Sequence, residues 1–338
     1  MKIFGSPAGF GSNAWLGLWL ALLLTQLITG CASHPDGQLQ SLQAQQTLIA
    51  LAAADSSALA AQSPVFLLDN TEAEHNHVGR VVASGTRDNE TIAIDTKRPA
   101  IYTARQSFAT GRGMYTNLVY RIHFPEQPYS LIPFHLGAGN HVGLLVILTL
   151  DADQRVLLVT TANTCGCYAV SIPTAALPVD WYPEDWPKET IPVYGEQFPA
   201  RLPELGAQSA LLVSVRGEVH RIRDMQVVPK ERLSHGAVIK AELLGLDNLK
   251  TLPLNDGSTT SFYYTGWPLA GHVKGAIKPW ETLLLSLVSM DLFVGMDKEY
   301  GDTQASGNPF YTSLKPWNRS ASDMNDFPAY LRFNGWQL

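Results

Sequence analysis

Two cysteines separated by one glycine, Cys165-Gly166-Cys167, are the residues in this chain whose spacing most directly suggests chemistry. They sit in the run Val159-Thr160-Thr161-Ala162-Asn163-Thr164-Cys165-Gly166-Cys167-Tyr168-Ala169-Val170, whose Val, Thr and Tyr content favours strand on both sides. On a strand, residues i and i+2 share a face, which puts both sulfurs on one side of the sheet. Their Cα atoms would lie about 6.6 Å apart at a rise of about 3.3 Å per residue, the outer edge of what a disulfide spans. Gly166 allows the backbone to bend inward. A labile disulfide or a plain thiol pair therefore ranks above zinc, which needs two further ligands.

Other sets are weaker. Glu72, Glu74, His75 and His77 fall within six residues; a metal site is one reading, and a solvated polar loop is the reading preferred here. Asp297, Glu299 and Asp302 near Tyr300 offer carboxylates for glycoside chemistry, but acids also cluster at exposed helix ends. Trp181 and Trp186, interleaved with Asp180, Glu184 and Asp185 in a proline-punctuated stretch, suit either a glycan or protein contact or a lid packed over the core. No nucleophile elbow, phosphate loop, dinucleotide fingerprint or HExxH motif is present. No cofactor, no metal and no catalytic residue is assigned.

The elements that must position the cysteines read mostly as sheet. Residues 117–124 alternate Leu118, Tyr120, Ile122 and Phe124 with Val119, Arg121 and His123, the period of a half-buried strand, with His123 on the outer face. Residues 142–150 are apolar on both faces and predict a covered central strand. A turn at Asp151-Ala152-Asp153-Gln154 returns the chain as residues 155–162. If paired numbers sum to 305, Asn140 faces Cys165 and His141 faces Thr164, so Asn140, His141 and Tyr168 are the candidate neighbours of the thiol pair. Further strands are expected at 65–68, 80–84, 91–95, 101–108, 210–215, 218–228, 238–244 and 259–265.

After Pro279 the period becomes helical: Leu283, Leu284, Leu287, Val288 and Leu292 make an apolar face, expected to pack on the sheet. A last helix starting near Ser320 or Ser322 carries Phe327, Tyr330, Leu331 and Trp336. Residues 34–61 read as a tether running into a helix. The expected class is α+β: a largely antiparallel sheet core (65–275) with an N-terminal tether helix (31–64) and C-terminal helices (276–338) packed on it. Lys278-Pro279-Trp280 recurs as Lys315-Pro316-Trp317.

The N-terminus carries a compartment signal. Residues 14–28 form an apolar stretch behind Lys2, too short to span a bilayer comfortably, and Leu27-Ile28-Thr29-Gly30-Cys31 follows. This run resembles the lipobox of bacterial lipoproteins. The resemblance implies removal of residues 1–30, diacylglycerol on the Cys31 sulfur and an acylated amino group. Ala32 and Ser33 after the cysteine imply sorting to the outer membrane, with the body expected in the periplasm. The Tyr120–Pro125 strand, the Cys-Gly-Cys-Tyr segment and the Trp-bearing C-terminus together resemble uncharacterised Gram-negative lipoproteins, which bring no activity with them.

Loss of residues 1–30 removes Lys2 alone among charged residues and takes the net charge from −6 to −7, giving no electrostatic footprint for nucleic acid. The expected function is a lipid-anchored, non-enzymatic binding or structural module whose partners are the membrane and an envelope protein or glycan. The alternative is a thiol-based redox or metal-dependent enzyme centred on Cys165 and Cys167.

Overall fold

A computed structural model describes residues 47–51, 57–235 and 238–338. The leader, Cys31 and the tether up to residue 46 lie outside the described residues. The architecture departs from the expected α+β class: 41% of the described residues are in strand against 16% in helix, and the core is one ten-stranded mixed sheet.

The ten strands are β1 (Thr47–Leu51), β2 (Val65–Leu68), β3 (Ala100–Thr110), β4 (Gly113–His123), β5 (Gly143–Leu150), β6 (Val156–Asn163), β7 (Val170–Pro173), β8 (Ser209–Arg216), β9 (Arg221–Pro229) and β10 (Val238–Gly245). Their order across the sheet is β7-β6-β5-β4-β3-β10-β1-β2-β8-β9. The half from β7 to β3 is an antiparallel meander. Parallel pairing enters where β10 is inserted between β3 and β1, and where β8 lies beside β2. Part of the expected N-terminal helix is thus strand: Thr-Leu-Ile-Ala-Leu pairs with β2 and β10, and among the described residues of that segment only Ala58–Ala61 (α1) is helical.

Every residue of β5 and β6 is buried, as the continuous apolar run of β5 requires of a sheet covered on both sides. Side chains alternate between two cores. Leu118, Tyr120, Ile122 and Leu144 meet Phe66 and Val213 on one face. Val119, Leu145, Ile147 and Leu158 meet Phe310, Phe327, Tyr330 and Trp336 on the other. Residues 246–338 therefore cover the face that β4 was expected to turn outward, and His123 is fully buried beneath them.

The remaining helices are α2 (Pro279–Ser289), α3 (Thr303–Ser306) and α4 (Phe327–Phe333). Helix α4 begins later than expected, capped by Asp326, whose carboxylate accepts the Ala329 N–H at 3.1 Å. It buries Phe327, Tyr330 and Leu331 as the pattern requires. Helix α2 is where the packing expectation fails: its buried residues are Glu281 and Ser289, while Leu283, Leu284, Leu287 and Val288 face out.

Candidate functional site

Cys165 and Cys167 are joined by a disulfide with Cα atoms 5.6 Å apart. They lie in the turn between β6 and β7 rather than on a strand. The Gly166 N–H donates to the Asn163 carbonyl at 2.8 Å, and the Asn163 N–H donates to the Cys167 carbonyl at 2.9 Å. Gly166 holds φ at +93°, and a Cβ there would come within 2.1 Å of the Tyr311 carbonyl oxygen. Glycine is thus demanded twice, by the backbone and by the neighbour.

The hairpin that leads here is shifted from the expected register. From Leu158↔Thr149 to Asn163↔Leu144 the paired numbers sum to 307, with a bulge between Val156 and Leu158. The five-residue turn Asp151–Arg155, with Gln154 at φ +60°, absorbs the difference. Consequently Thr164, expected opposite His141, instead meets Gly143 at the start of β5, its N–H donating to the Gly143 carbonyl at 2.9 Å.

The expected neighbours go elsewhere. Asn140 is exposed and pairs with Glu126. His141, at φ +57°, bonds the Lys274 carbonyl through Nδ1 at 2.7 Å. Tyr168 follows the disulfide directly, its ring edge-on to Tyr194 with centroids 4.8 Å apart and 5.7 Å from the Arg221 guanidinium carbon. The other sequence candidates are dispersed too. His75 pairs with Glu218 at 2.8 Å, while His77 bonds the Thr71 carbonyl. Glu299 pairs with Lys250, and Asp302 caps α3. Among the described residues no three His, Cys, Asp or Glu side chains converge as a metal-binding group.

What converges beneath the disulfide turn is a buried set of charges that the sequence reading did not assemble. The Thr164 hydroxyl donates to Asp297 Oδ1, which also takes the Gly143 N–H at 3.3 Å. Asp297 Oδ2 faces Lys278 Nζ at 3.1 Å, and both side chains are almost wholly removed from solvent. Burial works against the Lys278 charge, but the Asp297 and Glu281 carboxylates outweigh it and hold the amine above its ordinary pKa. Burial pushes the neighbouring Glu281 carboxyl upward. Gly295 makes room for it, since a Cβ at that position would fall 1.9 Å from Glu281 Oε2.

The next residue, Lys298, donates its backbone N–H to the Thr164 carbonyl at 2.8 Å. Its Nζ lies 3.5 Å from the centre of the Tyr311 ring, and it has no hydrogen-bond partner. Burial, reinforced by Arg319, lowers that amine to about 7. The Tyr311 hydroxyl donates to Asp291, and Arg319 lies over the same ring. On β4, the Arg121 Nε donates to His123 Nε2 at 2.8 Å and its terminal nitrogen donates to the Lys298 carbonyl at 2.7 Å. His123 is held well below its usual range by burial and by Arg121.

A lysine lowered toward neutrality is the group here best suited to nucleophilic or base chemistry. Yet Lys298 is only 1% exposed, with the Tyr311 ring against its amine. The arrangement clamps residues 272–298 and 311 against the end of β6.

Trp181 and Trp186 pack as a lid. The Trp186 indole N–H donates to the Ala200 carbonyl at 2.8 Å, and its ring stands 4.9 Å from that of Trp336. Gln337 donates its N–H to the Trp181 carbonyl. A shallow cleft of about 400 Å³ runs between Trp186, Trp336, Tyr194 and Ser171. Neither a protein-family model, nor a curated protein, nor a solved structure matches this chain.

Proposed function

We propose that this protein is a lipid-anchored lipoprotein of the bacterial envelope that acts as a non-enzymatic binding or structural module. The observation that supports the reading is the closure of its most polar interior. Lys278, Asp297 and Lys298 beside the disulfide turn are each at most 3% exposed. A catalytic reading needs an acid, base or nucleophile within reach of a substrate. Here the charged groups spend their interactions on one another and on backbone, joining segments distant in sequence. The anchor rests on the Cys31 lipobox. No described helix is long and apolar enough to cross a membrane. Two or three acyl chains suffice for stable attachment, at about 0.8 kcal/mol per buried methylene.

Cell fractionation of Cys31→Ser tests the reading. The expected result is transfer from the membrane pellet to the soluble periplasm with an unchanged thermal midpoint. A mutant that still sediments with membranes at high salt places the anchor elsewhere. Thiol labelling of the native protein, with and without reductant, tests the other half. Ready exchange of the Cys165–Cys167 disulfide with thiol oxidoreductants would replace the structural reading with a redox one.

A further inference from the structure

Helix α2 is built with its polarity reversed. Glu281 and Ser289 are its buried residues, and half-buried Leu285 completes their i, i+4, i+8 line. On the opposite side Leu283, Leu284, Leu287 and Val288 are 67, 47, 88 and 71% exposed. The stripe continues past the helix in Met290 and Leu292, both above 70% exposed. No charged residue lies between Glu281 and Asp291. Single exposed leucines need no explanation, but a continuous stripe marks a surface made for an apolar neighbour.

Residues at both ends extend it. The Phe134 ring stands 5.7 Å from Trp280 at the start of α2, and joins to it a loop whose Leu131 and Ile132 are 72 and 94% exposed. At the other end Arg319 donates to the Ser289 carbonyl, bringing up Trp317, itself 78% exposed, and the exposed Lys315. The repeated Lys-Pro-Trp tripeptide thus brackets α2: Trp280 opens it and Trp317 lies by its end. Tryptophan flanking an apolar surface, with lysine beside it, is the composition of the membrane–water boundary.

We infer that α2 and the 131–134 loop lie in the headgroup region of the bilayer to which the chain is anchored, seating the body flat on the membrane. The inference rests on the lipid-anchored reading and names the surface that reading leaves open. Lipid is favoured over a protein partner because nine consecutive residues, Thr282 to Met290, offer no charge and only three hydroxyls to pair. Fifteen residues lie between Cys31 and Thr47, a reach of up to about 55 Å over sixteen extended steps. That matches the roughly 50 Å diameter expected of a body of this size. The tether can therefore present α2 to the bilayer and keeps it at high local concentration there.

The test places a polarity-sensitive fluorophore at Leu287→Cys in the full chain, purified from membranes and reconstituted into phosphatidylethanolamine–phosphatidylglycerol vesicles. Asp153→Cys is the control, in the turn beyond the far end of β5, a strand that runs about 23 Å from Gly143 to Leu150. The expected result is a blue shift and quenching by nitroxide-labelled lipid at 287, with neither at 153. Leu283→Asp combined with Val288→Asp should abolish quenching at 287, each weakening lipid contact roughly tenfold or more. The thermal midpoint should not move, because both side chains are already exposed. A probe at 287 that remains open to aqueous iodide in the anchored protein overturns the inference. Shielding without lipid quenching, in a chain that runs as a dimer, overturns it in favour of a second copy. An acylated Cys31 takes no label, so two fluorophores per chain refute the anchor reading instead. The same probe in a Cys31→Ser background then still reports whether α2 meets added vesicles.

Discussion

Replacing Lys278 by Met is the sharpest test of the buried charge set, because it removes one partner of an ion pair and leaves the other. Asp297 would keep the Thr164 hydroxyl and the Gly143 N–H on Oδ1, but Oδ2, now 3.1 Å from the lysine nitrogen, would face an apolar side chain. Breaking a fully buried pair in this way costs about 3–5 kcal/mol. For a domain approaching 300 residues, one kcal/mol moves the melting temperature by about 2 °C, so a fall of about 6–10 °C is expected. The double variant Lys278→Met, Asp297→Leu removes the stranded charge but orphans the Thr164 and Gly143 donors, at about 1–3 kcal/mol each. It should therefore recover part of the loss, and the double-mutant cycle should show a coupling above about 1 kcal/mol. The pH dependence follows from the raised Lys278 pKa. A lysine held above its ordinary value contributes stability that is complete below pH 10.5 and lost as pH rises through the folded value. Wild type should weaken relative to Lys278→Met only above that point. Denaturant unfolding monitored by tryptophan fluorescence, from neutral pH to pH 11, measures both effects. A Lys278→Met protein within about 1 kcal/mol of wild type at pH 7 would refute the view that this pair holds the covering segment down.

Lys298 behaves in the opposite sense. Its amine is lowered to about 7 against an ordinary 10.5, so the unfolded chain binds the extra proton between those values and wild-type stability rises with pH across that window; Lys298→Met should flatten the rise, and an unchanged slope would place the amine in water. Trp186→Ala should lower stability by about 2–3 kcal/mol, a half-buried share of the usual loss for tryptophan, through the lost Ala200 hydrogen bond and Trp336 contact; calorimetry showing no loss would return this side chain to the candidate binding surface.

The parts legible in the sequence are those where one period decides the outcome. Alternation in β4, the two-sided apolar run of β5 and the turn-bounded pairs at β8 and β9 each state strand locally, and strands occur there. The hairpin register was missed by two because a bulge and a left-handed Gln154 leave no mark in the apolar pattern. Residues 47–51 are too short a run for either period to show, and they become strand only by pairing with β2 on one side and with β10, nearly two hundred residues away, on the other. The α+β expectation failed because the N-terminal helix and the two C-terminal helices, short where they are described, were given the weight of a layer. The buried charges were invisible for a related reason. Lys278, Asp297 and Thr164 lie in three separate stretches, each read for a local pattern of its own, and nothing local reports that folding brings them within 3.1 Å or a hydrogen bond of one another. The available cue was Gly295, whose missing side chain leaves the space that Glu281 fills.

Helix α2 shows how these two kinds of information interlock. Its 3.6-residue period identifies which side chains share a face, and that reading holds. The period carries nothing about which face meets the core. Left to the hydrophobic effect alone, a helix with this pattern would turn its leucines inward, each contributing about 1.5–3 kcal/mol when fully buried. Something must hold it the other way round, and the interior charges supply it. Lys278, immediately before Pro279, is fixed to Asp297; Glu281 fills the space beside Gly295; and the Ser289 carbonyl is held by Arg319. The polar line is pinned at the beginning, first turn and end of the helix, which leaves the apolar line no place but the surface. The buried ion set and the exposed leucines are therefore two sides of one construction. A protein that only needed a stable core would gain by rotating this helix, and it is this cost that makes the outward face the one to test for a neighbour.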